Sequence, residues 1–336
     1  MSRKRLFNLV VLGIGIAVLT GMVIEIGWDR IATHLSAVGA GFLALIAIFL
    51  VVLALEVAAW RIGIGRGVAW PHLVGAALAG AAINALTPLG EGGEIVKANL
   101  ASDHVSGRRA VSSLLMWNLL FRLAKHLMIF AGPLLLFVQG SRLFDARTLA
   151  WFLAAAVIAS IPTALYLMAL RAGGAEWSVR FLRRIPIIRG RVSEDLVERA
   201  RSTDDLVREF GRERIGATIA MAALLVLSRL VSVLEIHVVL HLFGAGTTFI
   251  EAMFLASATM VARIFLSVAP VAIGVGEGGE TVVFMMLGLP ADIGFSQAFV
   301  RLLRQLCFNV VGLAWLAWRS ATGPGPRDPA TCPPAR

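Results

Sequence analysis

Charge is what this sequence has least of. Only 15% of its 336 residues are charged, and 21 residues are acidic. Soluble domains carry about 25% charged residues. Set against 58% hydrophobic residues, this is too little polar side chain to coat a globule. A disordered chain, a nucleic-acid module and a soluble enzyme are therefore excluded. Cysteine is nearly missing: Cys307, in an apolar segment, and Cys332, near the C-terminus, provide no disulfide framework. There is no nucleophile elbow, zinc motif or aspartate-rich diphosphate motif, so no catalytic site, metal or cofactor is expected. No small-residue cleavage site closes the apolar run from Leu6 to Trp28, so it reads as a retained first span behind Arg3, Lys4 and Arg5.

What the sequence does have is apolar length. Continuous stretches run about 6–28, 41–62, 110–137, 148–169, 215–242 and 294–318. Each suffices for a helix crossing roughly 30 Å of hydrocarbon. Two further regions are interrupted. Residues 72–101 are broken by Thr87-Pro88-Leu89-Gly90-Glu91-Gly92-Gly93-Glu94, and residues 248–290 by Pro270 and Gly274-Val275-Gly276-Glu277-Gly278-Gly279-Glu280. Proline and clustered glycine stop helices, and the pieces left after the breaks, 95–101 and 281–290, are too short to span. The fold class expected is an all-α polytopic membrane protein. It has about six full transmembrane helices and two broken re-entrant helical hairpins.

The excess of 31 Lys+Arg over 21 Asp+Glu gives a net charge of +10, and its placement assigns the sides. Six arginines against Glu176 lie between Arg171 and Arg191, while 243–247 and 289–293 carry only Asp292. The positive-inside rule then puts both termini in the cytoplasm. Leu196, Ala200, Thr203, Val207 and Phe210 recur at helical spacing among arginines, as in an amphipathic helix on the bundle or on the anionic membrane surface. A solvated connector helix fits the same pattern. Residues 1–320 are read as one transmembrane domain, with a basic cytoplasmic loop at 171–214 and a Pro-rich cytoplasmic tail at 321–336.

The chain also repeats itself. Leu55-Glu56 recurs in the second half as Leu234-Glu235, and Asn118-x3-Arg122-Leu123-x-Lys125 recurs at the same offset as Gln297-x3-Arg301-Leu302-x-Arg304. The Gly-Glu-Gly-Gly-Glu elements at 90–94 and 276–280 fall between them, in the same order and at a slightly larger offset. Repeat one covers about 41–137 and repeat two about 215–318. The expected topology runs them in opposite directions, the construction of secondary transporters whose substrate sits at broken helices near the midplane.

Ionisable groups stand inside this apolar body. Arg122, Lys125, Arg229, Arg263, Arg301 and Arg304 face Glu56, Glu91, Glu94, Glu235, Glu277 and Glu280. At roughly 3 kcal/mol each in lipid they would cost about 36 kcal/mol, more than folding supplies. They must pair or line water. Pairing in a packed core would account for equal numbers. Placement favours a site: Asn118, Arg122, Lys125 and His126 share one helix face, as do Gln297, Arg301, Arg304 and Gln305. Like charges at i, i+3 suit a phosphate or pyrophosphate. The glycines at the breaks (Gly90, Gly92, Gly93, Gly276, Gly278 and Gly279) allow close backbone approach and present amides to an anion. Glu91 and Glu277 are read either as helix caps or as headgroup contacts, and Glu94 and Glu280 as carriers of a coupling proton or partners of a substrate cation. Gly274-x-Gly276-x-x-Gly279 lacks the βαβ context of a dinucleotide site.

At Pro88 to Glu94, Arg122, Gly274 to Glu280 and Arg301 the sequence resembles the lysylphosphatidylglycerol synthase transmembrane-region, or flippase-like, membrane proteins. The likeness spans about 8–318 and extends in length and layout to hopanoid-associated members. It implies movement of a lipid across the inner membrane, whereas in two-domain relatives a separate soluble domain makes the lipid. No synthase domain is expected here. The leading expectation is a lipid translocase binding a phosphate-containing headgroup (of a phospholipid, polyprenyl-phosphate or hopanoid-type lipid). An auxiliary membrane scaffold and a membrane-embedded lipid transferase are the competitors.

Overall fold

The computed structural model describes residues 24, 28–65, 67–86, 92–140, 146–172, 205, 214–266 and 275–322. The expected first span apart from Ile24 and Trp28, the amphipathic loop helix apart from Asp205, the tail from 323, Gly90 and Glu91 lie outside the described residues, as does the side chain of Glu277. Among the described residues there are ten helices and no strands: α1 Trp28–Val38, α2 Gly41–Ile64, α3 Trp70–Leu86, α4 Gly92–Ser102, α5 Gly107–Val138, α6 Ala146–Ala172, α7 Ile215–Leu242, α8 Phe249–Leu266, α9 Val275–Met286 and α10 Ala291–Thr322. Four of them, α2, α5, α7 and α10, are long and apolar enough to cross a membrane, and α6 holds a shorter apolar stretch, Leu149–Leu165.

Length sorts these helices. The 32 residues of α5 and of α10 reach about 48 Å, beyond the hydrocarbon thickness. The 11 residues of α4 and the 12 of α9 reach about 17 Å, roughly half of it. Both short helices begin inside the glycine-glutamate elements, α4 at Gly92 and α9 at Val275, so those elements form first turns as well as breaks. In α4 close packing explains why glycine, a poor helix former, stands at position 93. A side chain at Gly93 would strike the backbone of Gly80, where α4 folds back along α3.

The centre is the crossing of α2 with α7, which run antiparallel. Gly63 near the end of α2 meets Met221 near the start of α7, and Gly41 at the start of α2 meets Leu242 at the end of α7. Leu53, Val57, Trp60 and Ile64 of α2 pack with Leu114 and Trp117 of α5 and with Met221 and Leu225 of α7. Helix α2 ends at Gly65, whose φ of 88° disfavours other residues and whose Cβ would meet the Arg109 guanidinium. Arg214 donates through Nη1 to the Gly63 carbonyl at 2.8 Å, so a cation satisfies the helix's negative end.

Around this crossing the packing is reciprocal. Helix α3 lies on α10, and α8 lies on α5. In the first contact Gly312 abuts the Leu78 carbonyl. In the second, Gly132 abuts Ser257 and the Met253 carbonyl, while the Ser257 hydroxyl donates to the Met128 carbonyl at 2.7 Å. Leu78 and Ser257 are themselves related by the offset that carries Glu56 onto Glu235.

Candidate functional site

Four of the glutamates singled out in the sequence are described, and each meets a cation. Glu94, in the first turn of α4, draws on three helices. Its Oε1 accepts from Lys97 Nζ at 2.8 Å and from Asn84 Nδ2 of α3 at 3.3 Å, and its Oε2 accepts from Asn118 Nδ2 of α5 at 2.9 Å. Asn84 also accepts the Gly93 N–H through Oδ1 at 2.6 Å, which occupies that backbone amide. The carboxylate is thus a joint between α3, α4 and α5, held by two neutral amides and one lysine.

Its counterpart Glu280 is held differently. Its side chain is 1% exposed, and its Oε2 faces Arg301 Nη2 of α10 and, at 3.5 Å, Arg263 Nη2 of α8. Among the described residues Oε1 has no hydrogen-bond partner. Gln297, the counterpart of Asn118, is 1% exposed and does not reach Glu280; its Oε1 likewise has no hydrogen-bond partner among the described residues.

The remaining glutamates flank the central crossing. Glu56 of α2 pairs with Arg229 of α7, and Glu235 of α7 pairs with Arg304 of α10 at 2.9 Å. Aromatic faces take up part of the positive charge. Arg229 and Lys125 lie over the Phe121 ring at 4.6 and 4.4 Å from its centroid. Phe121 stacks on Trp117 at 4.8 Å, and Lys97 lies 5.0 Å from the Trp117 centroid. Trp117 Nε1 donates to the Glu56 carbonyl at 3.0 Å, so one aromatic pair connects the surroundings of Glu56 and Glu94. Arg304 similarly covers Phe49 at 4.3 Å. Cations over ring faces gain about 0.5–2 kcal/mol and are partly desolvated.

The two predicted stripes do not behave alike. In repeat one Asn118 serves Glu94, Lys125 lies on Phe121 and Arg122 is exposed. In repeat two Arg301 and Arg304 each face a carboxylate. Gly278 and Gly279 lie half-buried in α9 and Gly92 in the first turn of α4. The pattern reading did not select Asn84, Lys97, Trp117 or Phe121, and it counted Arg263 and Arg229 only as buried charges. A signal was present: the repeat offset carries Asn84 onto Arg263, and each faces its own repeat's glutamate. Trp117, Phe121 and Lys125 are spaced by four, a pattern that reads as ordinary core.

Several apolar spanning-length helices with charged pairs inside them define a multi-pass membrane protein. The family model of the lysylphosphatidylglycerol synthase TM region matches residues 8–312, and the chain belongs to that family. No curated protein and no solved structure matches it.

Proposed function

We propose that the chain is a lipid translocase of the inner membrane, without enzymatic activity of its own. In this reading repeat one and repeat two are inverted relative to each other. The six full spans include α2, α5, α6, α7 and α10, and the α3–α4 and α8–α9 pairs are re-entrant hairpins entering from opposite sides. Both termini are cytoplasmic. A phosphate-bearing headgroup binds near the midplane between the breaks, the tails stay in lipid, and the repeats rock against each other to alternate access.

One observation carries the reading. The sequence-equivalent helices α2 and α7 cross antiparallel, and each repeat's broken helix lies on the last helix of the other. A pair of inverted repeats interlocked in this way suits rocking about a central site. The test is transfer of fluorescent or isotopic lipid across proteoliposomes. Loss of transfer in an Arg122→Ala, Arg301→Ala double variant is the expected outcome. Unchanged transfer overturns the site assignment, and no transfer by the native protein over the full range of membrane lipids overturns the translocase.

The pairing of Glu56, Glu94, Glu235 and Glu280 with cations also favours a second reading, an auxiliary membrane scaffold with a neutralised interior. A scaffold leaves lipid transfer at the rate of empty vesicles while a partner protein co-purifies. A membrane-embedded transferase would instead yield a new lipid from an extract.

A further inference from the structure

Lys125 of α5 is an interior cation that ends on a ring. Among the described residues it meets no carboxylate; its ammonium lies over Phe121 at 4.4 Å from the centroid. The repeat gives it a different partner. The offset that carries Glu56 onto Glu235 also carries Lys125 onto Arg304, and Arg304 reaches Glu235 at 2.9 Å. By that equivalence Glu56 of α2 belongs to Lys125. Arg229 of α7 holds it instead, through Oε1. The same offset leads from Arg229 back to Leu50, so Glu235 has no cation at the equivalent place to compete for it.

The two rivals for Glu56 stand on one ring. Arg229 lies over Phe121 at 4.6 Å from the centroid, beside the 4.4 Å of Lys125. Phe121 stacks on Trp117, whose Nε1 donates to the Glu56 carbonyl at 3.0 Å. Helical side chains lean toward the N-terminus of their helix, so Lys125 leans along this face toward Trp117 and the level of Glu56. The second oxygen of Glu56 accepts no hydrogen bond among the described residues. A ring face holds an ammonium without fixing its direction, and the lysine stem is flexible. A buried carboxylate stripped of its cation is costly, so any movement that draws α7 away from α2 needs a replacement for Arg229 at hand.

We infer that Glu56 exchanges cations as the repeats rock, held by Arg229 in the arrangement described above and by Lys125 when repeat one takes the arrangement that repeat two now has. Lys125 is thus a positioning residue that acts through Glu56. The inference rests on the translocase reading for the second arrangement, since inverted repeats that alternate access take turns in each other's form. The contest for Glu56 rests on the side chains.

The test is carbodiimide capture in the purified full chain, in micelles and in proteoliposomes, with apolar dicyclohexylcarbodiimide as the probe and peptide mass spectrometry as the readout. The reagent activates a carboxylate, and an amine in ion-pair contact displaces the urea to leave an amide, with net loss of water. A guanidinium is not acylated, so the Arg229 pair stays silent. The Glu94–Lys97 pair, at 2.8 Å, is the internal standard. A Glu56–Lys125 amide is expected in the native chain. Arg229→Gln should raise its yield about threefold against the standard, because Glu56 then turns to Lys125. Lys125→Gln should slow lipid transfer about tenfold, and Lys125→Arg should restore transfer while giving no amide. A Glu94–Lys97 amide without a Glu56–Lys125 amide overturns the exchange, as does native transfer in Lys125→Gln. The Glu56–Lys125 amide with no lipid transfer by the native chain removes the translocase and leaves the exchange standing.

Discussion

Glu94 and Glu280 occupy equivalent places in two copies of one motif, yet the protein holds them by different chemistry. Glu94 is tied by Asn84, Asn118 and its own helix's Lys97, three groups that also fasten α3, α4 and α5 together. Glu280 is held by Arg263 and Arg301, which arrive from two other helices and carry formal charge. Neutral amides share a load that can be redistributed when one is lost. Buried ion pairs cannot redistribute it, because removing one member leaves the other charged in a poor solvent. One copy is thus built as a joint and the other as a charge centre. The residue at one offset position, asparagine at 84 and arginine at 263, is one of the differences; Lys97 and Asn118 against Arg301 are the others.

The largest effect that would sharpen this contrast is loss of Arg301. Arg301→Ala leaves buried Glu280 only its longer contact to Arg263 and should cost about 3 kcal/mol, read from unfolding in micelles. If the loss is instead no larger than that of Asn84→Ala, the distinction between the two carboxylates collapses. Next come the two crossing glycines. Gly312→Ala drives a methyl into the Leu78 backbone and should cost about 1–3 kcal/mol, whereas Gly132→Ala meets the side chain of Ser257 as well as a carbonyl and should cost less. Equal losses would mean that the crossings are interchangeable. Asn84→Ala removes a bond to Glu94 and the acceptor for the Gly93 amide, leaving Lys97 and Asn118 in place; about 1–2 kcal/mol is expected from the same melts. The smallest is Trp117→Phe, which keeps a ring beside Phe121 but drops the bond to the Glu56 carbonyl. Its expected cost is about 1 kcal/mol, and a null result would show that stacking alone holds that contact.

Much of this could be read from the chain. Apolar runs located α2, α5, α6, α7 and α10 within a few residues, because a run of spanning length leaves a helix few alternatives. The breaks were legible as proline and glycine, and Arg122, Arg301, Glu94 and Glu280 were legible as charges standing where charge is expensive. The start of α9 within its glycine run was not legible, because glycine is a poor helix former and a cluster of it reads locally as a break. Partner choice was equally hidden. Lys97 lies just past the motif in an apolar segment, and Arg229 reaches Glu56 from the far half of the chain, a distance no periodicity encodes. The repeat offset came closest, since it carries Asn84 onto Arg263 before any coordinate is consulted.

The arginine cap on α2 has a consequence in time. Arg214, whose guanidinium holds the last carbonyls of α2, lies far downstream of Gly63, at the threshold of α7. In chain order, therefore, those carbonyls receive their Arg214 cap only when the chain reaches α7. Contacts of such long range form late. The first half of the protein is therefore an incomplete body awaiting its second. A chain cut between α6 and α7 should work only when both pieces are made together, and the early piece alone should be short-lived in the cell.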